Sequence, residues 1–366
     1  MHEAMSNRQR WAAAIYRQEV DRFPVWLKMA NPTWRTAQPE AVRRLDDAQL
    51  LEEAGCDVMI GNSLRCEVRR PHVHQETRTE QGLRTCVWTT PDGVLRAEWK
   101  RDPYTNSWHP TKHPAASREE LGRLRWVFRD TTYSVPEQEA EAAADRQRSA
   151  RQADRFTMGS VGPGPLMDLV EHQCGPEHAA FLSFDEPELF GEVLALMHDD
   201  RIRWYQAVLR HWAADTLWMT ENTSTSLISP TMFRQLCVPH LREYGQRVLD
   251  AGVIPVHHMC GTLNALLEDI DALPALANEA YTTRPLGDVS LAEGRRRMPS
   301  KCLIGGTNAT LWMQGAEAIV AAVAEDLATC DNRRGIVLTS AGVLPSGVSL
   351  EKARRVAQGL KSLSCT

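Results

Sequence analysis

The chain has 366 residues, 43% hydrophobic and 24% charged, with a formal net charge of −5. That balance argues against long disorder and gives no electrostatic ground for nucleic-acid binding, which needs a basic surface. No run approaches the ~18 consecutive apolar residues that span a bilayer, and Met1 to Arg8 lacks the apolar core of a signal peptide, so a cytoplasmic protein with no membrane partner is expected. The nine cysteines follow no CxxC spacing, which points to reduced thiols rather than a disulfide framework.

An opening helix is expected from Arg8 to Gln18, with Trp11, Ala14, Ile15 and Gln18 on one face. Val25-Trp26-Leu27-Lys28 then reads as a short strand ending in a cation. Pro32 disfavours helix in the residue before it, so Ala30 to Trp34 reads as a loop. Cys56 to Asn62 is a second strand. From about residue 66 to 110 the texture becomes alternating, and the Pro91-Asp92-Gly93 centre marks a hairpin, so an antiparallel insertion is expected there. Residues Glu137 to Arg155 read as an exposed helix rich in Ala, Glu and Arg.

After Arg155 strands and helices alternate. In all, eight apolar runs, beginning near Val25, Asp57, Phe156, Thr216, Val253, Asn278, Cys302 and Ile336, are each followed by helical patterning. Eight such units close into an α/β (β/α)8 TIM barrel, here a single domain over residues 1–366 with an N-terminal helical extension. A doubly wound sheet competes, but no GxGxxG follows a strand, so a dinucleotide site lacks support.

In a barrel, chemistry is placed at the C-terminal ends of the strands. That rim would gather Lys28, Asn31, Asn62, Gly159, Glu221, His258, Cys260, Thr307, Asn308 and Ser340. His258 and Cys260 are two apart, so in an extended strand end they point to one side, as two ligands of one metal must. Zinc suits mixed nitrogen and sulfur donors, and Glu221 at the end of the preceding strand offers a third. Two ligands alone equally fit a hydrogen-bonded histidine beside an inert thiol, with Glu221 capping a helix. His258, Glu221 and Lys28 are the candidate catalytic residues, and Asn31, Asn62 and Asn308 the candidate cofactor contacts.

Asp21-Arg22-Phe23-Pro24-Val25-Trp26-Leu27-Lys28, Thr89 to Leu95, Leu227-Ile228-Ser229-Pro230-Thr231-Met232-Phe233, His258-Met259-Cys260-Gly261 and Gly305-Gly306-Thr307-Asn308 resemble the uroporphyrinogen decarboxylase superfamily. Within it, the chain is similar to the methyltransferases that serve corrinoid-dependent methyl transfer. In the decarboxylases an Arg-rich segment follows the first strand, whereas this chain has Lys28 to Trp34, so tetrapyrrole decarboxylation is not expected. Thiol-methylating relatives complete a zinc site with a late cysteine, and Gly342 stands in that place.

The resemblance implies a methyltransferase moving a methyl group between a small methoxy or methylamine compound and a separate corrinoid protein carrying cobalamin. No Asp-x-His-x-x-Gly segment occurs in the chain to hold a corrinoid itself. Zinc on His258, Cys260 and Glu221 would polarise the methyl-bearing heteroatom. The alternatives are a lyase or decarboxylase in which Lys28 binds a carboxylate and His258 moves a proton, and a non-catalytic barrel with a degenerate site. Resemblance also suggests a homodimer.

Overall fold

A computed structural model describes residues 4–365. Eight parallel strands form the central sheet: β1 (Val25–Trp26), β2 (Met59–Gly61), β3 (Phe156–Val161), β4 (Thr216–Thr220), β5 (Ile254–His258), β6 (Ala277–Tyr281), β7 (Cys302–Gly305) and β8 (Ile336–Thr339). Each strand from β3 to β8 pairs with the next in sequence, β8 returns to β1, and β2 pairs with β3. The remaining seam, between β1 and β2, is bridged where the Asp57 N–H donates to the Val25 carbonyl at 2.6 Å. The Asp57 carboxylate accepts from the Val25 N–H and is gripped by Arg10 and Arg22. The chain is a (β/α)8 barrel, and all eight strands lie where the apolar runs placed them.

Most of the strands are buried on both sides, as parallel strands covered by helices must be, with β2 the most open. The last helix, Leu350–Lys361, shows how the cover forms. Ser349 caps it, and Ala353, Val356, Ala357 and Leu360 recur at helical spacing to bury one stripe. Burying each larger side chain contributes roughly 1.5–3 kcal/mol. The first helix, Asn7–Ile15, starts with a Ser6 to Gln9 capping box and closes the N-terminal end of the barrel. Its Asn7 side chain bonds both backbone groups of Val58, and Trp11 stacks on Phe156 at 5.8 Å. With that end sealed, the C-terminal rim is where the barrel can meet a ligand.

Between β2 and β3 lies the antiparallel insertion. Four strands, His74–Glu80, Leu83–Thr90, Gly93–Arg101 and Trp108–Lys112, form a meander, and the Pro91-Asp92 turn joins the middle pair as its composition requires. A two-stranded ribbon of Glu67–Arg69 with Thr132–Ser134 brings the chain back, with the helix Arg118–Arg129 in between. The segment after β3 is α-helical over Pro165–Asp168 and then makes one π turn, Leu169–Gln173. All nine cysteines are free thiols. No described helix is long and apolar enough to cross a membrane.

Candidate active site

β5 ends at His258 and pairs with β6 in a register that sets His258 opposite Glu279. Side chains that are register partners on adjacent strands point the same way, so the imidazole and the carboxylate meet. Nδ1 of His258 is hydrogen-bonded to Oε2 of Glu279, and Nζ of Lys28, beyond the end of β1, is ion-paired with Oε1 of the same carboxylate. Glu279 is fully buried, whereas the His258 and Lys28 side chains keep 21% and 17% of their surface, so a ligand would meet the two bases and not the acid between them. The Lys28 backbone N–H donates to Ser340, at the end of β8, which ties the first strand end to the last.

Electrostatics follow from this packing. Burial pulls the His258 imidazole down, but the Glu279 carboxylate and a hydrogen bond with Cys260 outweigh it and lift the ring to about 9. Burial raises Glu279 in turn, and the Lys28 and His258 cations overcome that, holding the carboxyl below its ordinary range. The three groups form a buried anion between two cations.

The backbone around Glu279 is unusual. Ala280 sits at φ +59° and the β6–β7 register slips between Glu279 and Tyr281, a bulge in the strand next to the charged cluster. Bulges re-aim side chains, and a non-glycine residue in this region costs on the order of 1–3 kcal/mol that surrounding packing must offset. Gly305 makes the bulge possible, since a Cβ there would lie 2.1 Å from the Tyr281 carbonyl.

A second group of polar residues flanks His258 from β4. The N–H groups of Glu221 and Asn222 both donate to the His258 carbonyl at 3.0 Å. Asn222, at φ +47°, is a residue type that tolerates this conformation. Its side chain joins two others: Cys260 Sγ reaches its Oδ1 at 3.6 Å, and its Nδ2 donates to Glu171 at 2.8 Å. Gly261, at φ +101°, lets the chain turn directly after Cys260, where a Cβ would strike the Ser224 hydroxyl at 2.7 Å. Glu221 is turned elsewhere, with Oε1 accepting from the Gly164 N–H at 2.6 Å. Burial pushes its carboxyl up to about 7, and its other oxygen has no hydrogen-bond partner.

The structure therefore brings Lys28, His258 and Cys260 together and leaves other sequence candidates apart. Asn31 caps the helix Pro32–Thr36, accepting from Trp34 N–H and donating to the Lys28 carbonyl. Asn62 bonds Ala143 and Arg146 on the helix Glu137–Gln152. Asn308 bonds the Arg284 carbonyl, Thr310 and Leu311. Each amide is spent on holding backbone or a neighbouring helix. Glu279, Asn222 and Glu171 were not singled out from the sequence. The one local signal for Glu279 was an acid inside the short β6 run, Ala277-Asn278-Glu279-Ala280-Tyr281.

The uroporphyrinogen decarboxylase (URO-D) family model matches residues 161–363, more than half of the chain. The chain belongs to the uroporphyrinogen decarboxylase family. No curated protein matches it. Among solved structures, a methyltransferase from Methanosarcina mazei superposes with a TM-score of 0.60 at 17% identity, over 97% of this chain and 98% of that one, a likeness of fold. A Listeria monocytogenes protein described as a vitamin-B12-independent methionine synthase matches over 58% of this chain and 65% of its own, at 15% identity and a TM-score of 0.39, too remote to carry an argument.

This family member holds two of the three expected zinc donors together. Glu279 on Nδ1 would leave Nε2 of His258 for a metal, as an outer carboxylate does for a ligating histidine. Cys260 lies beside it, but Glu221 is turned towards Gly164, which holds its Oε1. Among the described residues no group of three His, Cys, Asp or Glu side chains is placed to hold a metal ion. The donor set as it stands does not fit zinc held by His258, Cys260 and Glu221.

Proposed function

We propose that the chain is a methyltransferase that moves a methyl group between a small methylated compound, a methoxy or methylamine substrate, and a separate corrinoid protein. The observation that carries the chemistry is the contact of His258 Nδ1 with the buried Glu279 carboxylate at the rim, which favours the charged imidazole. Family membership, and a fold shared end to end with a protein described as a methyltransferase, support methyl transfer as the reaction class.

The corrinoid of the partner would supply the nucleophile that takes the methyl group. When the bond between methyl and heteroatom breaks, its electron pair stays on the oxygen or nitrogen. His258 gives a proton to that atom from its exposed edge, so the leaving group departs neutral. Glu279 keeps the ring protonated beforehand and fixes its orientation, and Lys28 prevents Glu279 from drawing the proton to itself. In the reverse direction the same ring accepts the proton from an acceptor heteroatom. The alternative in which Lys28 binds a substrate carboxylate is less well supported, because its ammonium is already paired with Glu279.

The test is transfer from a panel of methoxylated and N-methylated compounds to free cob(I)alamin, with the wild type and His258→Gln compared. General acid catalysis contributes roughly 10²–10⁴-fold, so the variant should lose about that factor. Demethylation at an unchanged rate in the variant would refute the role given to His258.

A further inference from the structure

The inserted antiparallel sheet does more than decorate the barrel. Where it meets the helix Pro187–Val208, which leads from β3 to β4, the two enclose a cavity of about 350 Å³. The insertion contributes Arg70 and Trp88, the helix Arg118–Arg129 contributes Phe128, and the barrel side contributes Asp168, Arg201 and Trp204. The cavity adjoins the site above without belonging to it. Arg201 donates to the Pro163 carbonyl at 2.9 Å, and the next residue, Gly164, is the one that binds Glu221.

The wall carries two cations, Arg70 and Arg201, and two anions, Asp168 and Asp200. Asp200 is matched, accepting from the Tyr133 hydroxyl at 2.7 Å and from Arg203 at 3.2 Å. Asp168 accepts from the Gln173 amide at 3.0 Å. The hydrogen-bond partners of Arg201 and Arg70 are neutral, the Pro163 carbonyl for the first and the Val127 carbonyl and Gln75 amide for the second. Asp200 is ion-paired with Arg203, outside the wall, and among the described residues neither Arg70 nor Arg201 has a carboxylate within ion-pair distance, so both guanidinium groups keep donors for an anion. Arginine offers a planar fork that matches a carboxylate in two parallel hydrogen bonds, and Trp88, Phe128 and Trp204 offer flat apolar faces to a ring. Cavities of this size take small organic ligands.

We propose that this cavity binds a planar aromatic carboxylate, with Arg201 and Arg70 taking the carboxylate and Trp88, Phe128 and Trp204 enclosing the ring. The site stands whether or not the chain transfers methyl groups, because nothing in it uses His258 or Glu279.

The test is direct binding to the full chain, followed by tryptophan fluorescence and calorimetry, with benzoate, its neutral analogue benzamide and the cation benzylammonium. Benzoate should bind saturably, with benzamide and benzylammonium weaker by about tenfold or more, the scale of a lost charge-assisted pair. Arg201→Gln should lose benzoate binding by a similar factor, while His258→Gln should bind it as the wild type does. Should Arg201→Gln fail to fold, Arg70→Gln and Trp88→Ala in the insertion carry the same expectation. Equal affinity for benzamide, preference for benzylammonium, no saturable benzoate binding, unchanged binding in the cavity variants, or loss in His258→Gln would overturn the proposal.

Discussion

His258 and Glu279 are register partners on adjacent parallel strands, and Nδ1 of the first is bonded to the carboxylate of the second. Their contact is built into the sheet itself, so it is fixed as firmly as the ladder that carries it.

Replacing Glu279 with Gln removes the charge and keeps the shape. The His258 ring, lifted to about 9 in the native chain, should then titrate at lower pH, since burial and Lys28 both oppose its proton. Ring resonances followed by NMR across pH 5–10 would report this. A His258 that titrates unchanged would mean Glu279 is not what charges it. Breaking a buried pair also leaves the surviving cations uncompensated, so a stability loss of roughly 3–5 kcal/mol should accompany the shift.

Asn31→Ala and Asn308→Ala should act on stability alone. Asn31 is an N-cap whose loss costs about 1 kcal/mol, and Asn308 holds backbone groups of two loops. Denaturant melts should fall by about that amount while substrate turnover per folded molecule stays put. A selective loss of turnover or of ligand affinity would place these amides in the site after all.

The barrel was legible in the sequence because most strands are short apolar runs closed by a glycine or a polar or charged residue, and a strand buried on both faces needs no alternation. The pairing of His258 with Cys260 was legible for the same local reason, since residues two apart on a strand share a side. Glu279 was not, because its role depends on how β5 and β6 align and on the bulge at Ala280, relationships between segments that no single run displays. The rim amides show the converse. Their position could be read, but whether Asn31, Asn62 and Asn308 face a ligand or a carbonyl depends on loops folded against them.

Gly305→Ala should be among the most damaging single changes in the chain. Its Cβ would sit 2.1 Å from the Tyr281 carbonyl, inside the bulge that aims Glu279, and no flexible side chain is there to move aside. A loss above about 4 kcal/mol, or failure to obtain folded protein, is expected. A variant melting within about 2 °C of the wild type would show that the strand has room to shift.

The chain should lose stability in acid through two histidines, His257, which is buried, and His240, which is half-buried. His257 finds no partner for either ring nitrogen, and burial lowers its ring to about 3. Burial and the neighbouring His198 lower His240 to about 4. Unfolded, each ring takes up a proton near 6.5, so the unfolded state binds more protons and stability falls as pH drops from about 6.5 towards 4. Each group contributes a slope of up to about 1.4 kcal/mol per pH unit. His258 acts oppositely, its raised ring adding stability that is complete below about 6.5 and lost as pH rises through about 9. Chemical denaturation at a series of pH values would show the acid slope, and His257→Gln should make it shallower. An equal slope in that variant would mean His257 is protonated or hydrated in the folded chain.

The measurement closest to the central claim is methyl transfer itself, followed as the spectral change of free cob(I)alamin mixed with purified protein and each methoxylated or N-methylated compound in turn. At least one compound should be demethylated by the wild type, with the rate falling on the order of 10²-fold or more in His258→Gln. Failure of every compound to methylate the corrinoid, or equal rates in the wild type and the variant, would contradict it.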